Sequence, residues 1–453
     1  MKPYLSELRL TEFKTFRDAR LPLGGMTALI GRNSSGKSNA LDGLEVLSRL
    51  AAGADIVDAL DSRRGDEGPL RGGIEGCPPH GTDRFSLGCT VVAMNRATPE
   101  PGSYFYVELD VTIQVRPEPE IISETLWGMS GKNRYTKNPR ERFRHKLLAT
   151  ESGSPGSGSI DATWYGGRPG RGPRAPFRSS RLLTSQLALR VEGRNDKERA
   201  VLTAAEDMLE TLRGVFHLDP VPHLMRQYVP GRDTRLRRTA ENLSAVIGHM
   251  ATHDAERFRQ LLNRVQGLVE HEVTGIEAIR SDLNDVMLAL REGPAITPAR
   301  EMSDGLLRFT AIATTLLRQG RDLDLGGRDT SDDRKSPMLV IEELENGLHP
   351  SQATQVLELV KQATADDSAR VIFTTHSPAL LSALSSEDHK NVVVCSRDRA
   401  TGLSNLRTLP EIDGYPSLMA QGDLGTIITS GLLEQAPPRE RDFSEFDRLM
   451  GIG

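Results

Sequence analysis
Cysteine is scarce in this 453-residue sequence: Cys77, Cys89 and Cys395 are too few and too widely spaced for a disulfide framework. A reducing cytoplasm is the natural compartment. No run of about 18 apolar residues occurs, and the opening Met1-Lys2-Pro3-Tyr4-Leu5-Ser6-Glu7-Leu8 has no continuous apolar stretch, so neither export nor a membrane span is expected. A bias of charge is missing too. The 57 Lys and Arg face 62 Asp and Glu, a net of −5 that excludes a bulk polyanion binder and leaves room only for a local nucleic-acid surface. What is present, 37% hydrophobic and 26% charged residues, fits a folded globular chain and excludes a largely disordered one.

The first 30 residues read as three β-segments, Leu8-Arg9-Leu10, Ala19 to Leu23 and Met26 to Ile30, with Gly24-Gly25 as a turn. After a Gly/Ser loop, Leu41, Leu44, Leu47 and Leu50 recur at near-helical spacing. Residues 62–82 are Gly/Pro/Arg-rich and irregular, after which Phe85 to Val92 and Tyr104 to Val115 read as strands of an antiparallel side sheet. Residues 150–178 are rich in Gly, Ser, Pro and Arg, and are expected to form a long mobile loop for want of apolar surface to bury. Helical patterns follow at Val201 to Val215, Leu243 to Met250 and Phe258 to Val269, then a strand from Val286 after the Asn284-Asp285 turn. Residues 320–336 read as a charged surface loop. Strand and helix then alternate: Met338 to Ile341, Gln352 to Ala363, Arg370 to Thr374, Pro378 to Leu384 and Asn391 to Cys395.

Gly31-Arg32-Asn33-Ser34-Ser35-Gly36-Lys37-Ser38, followed by Asn39, matches G-x-x-x-x-G-K-[ST] between a strand and a helix. Chance supplies that pattern about 0.01 times in a chain of this composition. Each residue type suits a phosphate site. Glycines let backbone N–H groups close around a phosphate, the helix offers its N-terminal dipole, Lys37 reaches β/γ oxygens and Ser38 ligates Mg²⁺. Met338-Leu339-Val340-Ile341 is a short apolar run ending in Glu342-Glu343, as a buried parallel strand delivering carboxylates to a nucleotide would be. In this Walker B pattern the first acid, Glu342, is assigned to the metal and the second, Glu343, to the general base. Glu342 stands where the pattern expects Asp.

These features together resemble the ABC-type ATPases of the SMC, RecF and OLD group, particularly short RecF-like or OLD-like bacterial ATPases that often serve in phage defence. The residues that carry the resemblance are Leu8 to Phe16, Gly31 to Asn39, Ser303-Asp304-Gly305, Glu342-Glu343, Glu345-Asn346-Gly347-Leu348-His349-Pro350 and Thr374-Thr375-His376-Ser377-Pro378. The resemblance implies a P-loop NTPase of ABC type, α/β, with an antiparallel side sheet and a compact helical insertion. It divides into an ATPase lobe over 1–118, a basic loop and helical insertion over 119–295, and a second ATPase lobe over 296–453. It implies ATP and Mg²⁺ as ligands, His376 as the switch histidine on the γ-phosphate, and Ser303 and Gly305 as the signature that meets ATP bound by a second copy in a head-to-head homodimer. Residues 346–350 resemble the coupling D-loop.

Weaker signals leave alternatives open. Residues 131–190 hold 13 Lys or Arg against 3 Asp or Glu, interleaved with Tyr135, Phe143, Trp164, Tyr165 and Phe177. This suits DNA contact with base stacking, or equally a solvated Arg-biased loop or a surface for a partner protein. Cys77, His80 and Cys89 are three zinc-type donors without a fourth, and coincidence is favoured. The function expected is an ATP-driven dimeric switch controlling DNA or an effector protein. RecF-like DNA repair and an ATP-binding scaffold that hydrolyses very slowly are the alternatives. A nuclease centre of its own is not expected, because no Asp-x-Asp cluster follows His376.

Overall fold
Alternation of apolar and polar residues builds the N-terminal strands. In β1 (Tyr4–Phe13) Leu8 and Leu10 turn inward while Arg9 and Thr11 face outward, and β2 (Phe16–Pro22) folds back on it antiparallel. β3 (Met26–Ile30) is buried at every position, as a central strand covered on both faces must be. It leads into α1 (Lys37–Ala51), followed by the short α2 (Ile56–Leu60). The computed structural model describes residues 3–61, 68–94, 104–130, 144–151, 156–166, 172–269, 272–317, 322–325, 337–365 and 369–430.

The side sheet continues from β1 as an antiparallel ladder of β4 (Arg84–Met94), β5 (Tyr104–Gln114), β6 (Glu120–Ser130), β7 (Arg144–Thr150), β8 (Ser159–Trp164) and β9 (Arg174–Arg178). The β5–β6 pairing crosses the expected lobe boundary at residue 118. The ladder also corrects the expectation of a mobile loop over 150–178. Ile160, Ala162, Trp164 and Phe177 lie on one face of β8 and β9 and are buried, and that alternation outweighs the surrounding Gly and Pro.

Next come α3 (Leu183–Gln186), α4 (Asp196–Arg213), β10 (Val215–Leu218), α5 (Pro222–Met225), β11 (Val229–Pro230), α6 (Leu243–His253) and α7 (Ala255–Leu268). Asn195 caps α4, its side chain accepting from the Lys197 and Glu198 N–H groups at 3.0 Å each. A small second sheet holds β11, β12 (Gly275–Arg280), β13 (Asp285–Glu292) and β14 (Ala295–Pro298), and α8 (Asp304–Leu317) follows. The last described elements are β15 (Met338–Ile341), α9 (Pro350–Ala365), β16 (Arg370–Thr375), α10 (Pro378–Ser382), β17 (Val392–Arg397), β18 (Ser404–Thr408), α11 (Tyr415–Met419) and α12 (Leu424–Thr429).

The main sheet orders its strands β10-β15-β16-β3-β17, all parallel, and continues through β18, β2 and β1 into the side sheet. One apolar cluster covers the face against α1 and α4, another the face against α6 to α9. The middle of the chain is therefore more than a helical insertion: β10 is a core edge strand paired with β15. Val-Phe-His-Leu is too short and follows α4 too closely to show as a strand in the sequence. Parallel β3, β16 and β15 bring three C-terminal ends to one edge of the sheet, with β16 between the other two. No helix among the described residues is long and apolar enough to cross a membrane.

Phe177 is 1% exposed in the interior of the side sheet. Phe177→Ala is expected to lower unfolding free energy by about 3–5 kcal/mol, measured by urea denaturation, the cost of an aromatic-sized cavity.

Candidate nucleotide-binding site
The loop between β3 and α1 takes its shape from glycines no other residue could replace unstrained. Gly31 has φ 146° and a Cβ there would fall 2.2 Å from the Cys395 carbonyl oxygen; Gly36 has φ 113° and its Cβ would fall 2.5 Å from Ser404 Oγ. Asn33 and Ser34 are exposed on the outside of the loop, and Ser34 has a positive φ of 65°. Ser35 is tied down through its carbonyl, which accepts from Ser404 Oγ at 2.6 Å and from Cys395 Sγ at 3.3 Å. Its own Oγ is buried without a hydrogen-bond partner. Asn39 donates to Thr15 Oγ1 at 3.0 Å, joining the helix start to the β1–β2 turn.

Lys37 Nζ rests on the loop's own carbonyls, Gly31 at 2.7 Å and Arg32 at 3.0 Å. Burial lowers its pKa, while the nearby Cys395, Glu343, Glu345 and Glu342 work in the opposite direction. Ser38 Oγ donates to Glu342 Oε2 at 2.5 Å, closing the gap between α1 and the end of β15. The extra methylene of Glu342 thus spans to the serine where a shorter acid is the usual choice. Glu343 follows in the left-handed region, φ 50°, with its N–H donating to Thr374 Oγ1 at 2.8 Å on β16. For a residue with a Cβ that conformation costs on the order of 1 kcal/mol and is held by its surroundings. His376 lies past β16, half exposed, its backbone N–H donating to Glu345 Oε1 at 2.9 Å.

Sequence-predicted residues of the loop, Glu342, Glu343 and His376 thus converge on one edge of the sheet. Ser303 and Gly305 lie at the start of α8. Ser303 Oγ caps α8, accepting from the Leu306 N–H at 3.2 Å. Gly305 is pressed against the turn after β15, where a Cβ would fall 2.1 Å from the Gly347 carbonyl oxygen. The close approach that the glycine permits is therefore made within this chain.

Sequence reasoning missed the ion pairs that hold α1. Asp42, 3% exposed, accepts from Lys14 Nζ at 2.6 Å and from Arg71 Nη2 at 2.7 Å. Arg71 also donates to the Ser38 carbonyl at 3.1 Å and lies 3.7 Å from Glu342. Arg71 had no local signal, since it sits in the irregular Gly/Pro segment. Asp42 had one: four residues after Ser38, it shares that serine's helix face. One turn further, Glu45 accepts from Arg49 at 2.5 Å and Arg238 at 2.6 Å, beside buried His217 at 3.9 Å. Burial works against ionisation of Glu45, but the charges of His217, Arg238 and Arg49 outweigh it and hold the carboxyl at about 2. Burial pushes His217 down to about 4.

The aromatic residues expected to stack on DNA fall elsewhere. Trp164 and Phe177 are core residues, 8% and 1% exposed, and Tyr165 packs on His145 with ring centroids 5.3 Å apart. Arg174 is paired with Glu151 at 2.7 Å and Asp161 at 2.6 Å. Tyr135, Phe143, Arg168 and Arg171 lie outside the described residues. Cys77 and Cys89 are buried thiols, each pushed up to about 12 by burial, while His80 is exposed.

A family model described as "AAA domain, putative AbiEii toxin, Type IV TA system" matches residues 26–382, most of the chain. The chain belongs to this AAA-domain family. With the inserted-strand order β15-β16-β3 and the side sheet, its fold is a P-loop NTPase of the ABC-ATPase type. Among solved structures, an SMC head bound to the C-winged helix domain of ScpA aligns at 13% identity and TM-score 0.48, over 89% of this chain and 97% of that chain. The SMC head domain of Thermotoga maritima aligns at 13% identity and TM-score 0.37, over 89% and 98%. An SMC head with an extended coiled coil bound to the C-terminal domain of ScpA, from Pyrococcus furiosus, gives 12% identity and TM-score 0.43, over 92% and 100%. No curated protein matches.

The pairing of Glu45 and His217 sets an acid limit on stability. Both pKa values are depressed on folding, so both contributions are complete above the unfolded values and disappear as pH falls, His217 between about 6.5 and 4, Glu45 between about 4.5 and 2. The urea midpoint is expected to fall steadily below pH 6.5. His217→Leu should flatten the upper part of that decline, and Glu45→Gln, which takes the carboxylate charge away from Arg49 and Arg238, should cost about 1–3 kcal/mol at pH 7.

Proposed function
We propose that this protein binds ATP with Mg²⁺, hydrolyses it, and closes as a head-to-head homodimer that controls DNA or an effector protein, in the manner of the SMC/RecF/OLD ATPases. The observation that carries the reading is the 2.5 Å contact of Ser38 Oγ with Glu342 Oε2, with Glu343 the next residue on the same strand end. A hydroxyl and a carboxylate oxygen meeting at a phosphate loop are the donor set a hard cation prefers. The residues fit the ligands. The unpartnered Ser35 Oγ, the Lys37 ammonium laid on its own loop and the glycine positions too tight for a Cβ form a cradle for phosphate oxygens.

In this reading the loop amides of residues 33–39 and Lys37 would hold the β- and γ-phosphates, and Ser38 and Glu342 the Mg²⁺. When bound there, Mg²⁺ would supply positive charge to neutralise the phosphate oxygens. Glu343 would orient the attacking water and take its proton, and His376 would contact the γ-phosphate. Ser303 and Gly305 would act in trans on the nucleotide of the second copy. A defence setting draws support from the family's description as a putative AbiEii toxin of a type IV toxin–antitoxin system.

Between the two controlled targets, the burial of Trp164 and Phe177, two of the five aromatic residues of the segment, and the ion pairs of Arg174 favour a protein effector. ATP hydrolysis measured with and without double-stranded DNA, at low and moderate salt, decides it: indifference to DNA is expected, and salt-sensitive stimulation would give the role back to DNA.

Glu343→Gln is expected to bind ATP, lose hydrolysis by about 100-fold or more, and accumulate as a dimer on light-scattering chromatography. Lys37→Ala should lose nucleotide binding and stay monomeric with ATP. Normal turnover by Glu343→Gln would remove Glu343 from the base position.

A further inference from the structure
Glu345 is the third acidic residue after β15, and it is placed unlike the other two. Its side chain is 12% exposed, whereas that of its neighbour His376 is 51% exposed. Glu345 Oε1 accepts the His376 backbone N–H at 2.9 Å and lies 3.3 Å from the His376 ring atom Nδ1. One carboxylate oxygen thus meets both the main chain and the ring of the same residue. The other oxygen, Oε2, is buried with no hydrogen-bond partner. Buried carboxylate oxygens ordinarily collect donors, and a purely structural carboxylate would have found one here. Glu345 also lies within electrostatic reach of Lys37, on the same edge of the sheet as Glu342 and Glu343.

The backbone around Glu345 is fixed from several sides. The Leu344 N–H donates to the Thr374 carbonyl at 3.0 Å and the Leu348 N–H to the Glu345 carbonyl at 2.9 Å. The carboxylate therefore has little freedom to follow a moving histidine. His376, exposed and otherwise at the mouth of a short loop, has one buried anchor at Oε1.

We infer that Glu345 is a positioning residue: its carboxylate accepts the His376 main-chain N–H and faces Nδ1 of the imidazolium form of the ring, leaving Nε2–H to donate to the terminal phosphate. The inference rests on the reading of His376 as a γ-phosphate contact. It makes Glu345 a determinant of how well the site tells a triphosphate from a diphosphate.

The test is equilibrium binding of fluorescent ATP and ADP analogues, which needs no turnover. Glu345→Ala is expected to lower the preference for ATP over ADP about ten-fold, as far as His376→Ala lowers it, with ADP affinity unchanged. The double variant should fall no further than either single one. Glu345→Gln, which keeps a carbonyl oxygen for the two His376 donors, should retain most of the preference. Should Glu345→Ala lose ADP binding altogether, Glu345→Asp, one methylene short of His376, makes the same comparison with the charge kept. A wild-type preference in Glu345→Ala, or additive losses in the double variant, would overturn the inference. A wild-type preference in His376→Ala would instead overturn the histidine reading beneath it, so the two failures are told apart.

Discussion
Two carboxylates buried on the phosphate-loop helix govern how the rest of the chain is assembled. Asp42 and Glu45 are 3% and 7% exposed, and an unpaired buried charge costs several kcal/mol. Arg49 lies one turn along α1 itself, and the other three cations come from outside the helix: Lys14 from the β1–β2 turn, Arg71 from the segment before β4 and Arg238 from the approach to α6. Burial of the helix with its charges paired therefore depends on all three of those segments. The side sheet, the insertion and the N-terminal hairpin are held to α1 by the charges that hydrophobic packing alone would leave stranded. A phosphate loop needs a helix start that does not drift, and this network anchors the first two turns after Ser38.

The same network explains how the site tolerates Glu342. Ser38 is located by α1, Glu342 by the fully buried β15, and β16 separates β15 from β3. The distance between helix start and strand end is therefore fixed by sheet geometry, about 4.8 Å per strand, and not by the acid. A glutamate reaches across it to 2.5 Å from the serine, with Arg71 3.7 Å away on the other carboxylate oxygen. The arginine balances the carboxylate from the irregular Gly/Pro segment before β4.

What could be read in the sequence was what is local. The phosphate loop, the apolar run Met338 to Ile341 with its two acids, and α4, α6 and α7 follow from spacing within single elements, and the chain shows them nearly where the pattern put them. β10 was hidden because its four residues gain their identity only by pairing with β15, more than a hundred residues later. β8 and β9 were hidden by the Gly, Pro and Arg around them, although Ile160, Ala162 and Trp164 alternate cleanly once the flanks are set aside. Arg71, Arg238 and Glu345 act through partners that no window of sequence contains. Basic and aromatic residues interleaved over 131–190 suited DNA, a partner protein or a solvated loop alike, and composition could not show that Trp164 and Phe177 are spaced for a strand face and are spent on the core.

The turn after β15 leaves little slack between the chemistry at one end and α8 at the other. Glu343 holds a left-handed backbone, its carbonyl accepting the Asn346 N–H at 2.8 Å, and Gly347 has φ 76°. Gly347 in turn presses its carbonyl against Gly305 so closely that a methyl group would not fit. A displacement at Glu342 or Glu343 that reached Gly347 would meet Gly305 directly, where there is no room for even a Cβ, and so reach the start of α8 by contact. In a head that meets a second copy through that helix start, steric contact within one chain would carry the state of the nucleotide to the interface, with no long-range pathway required.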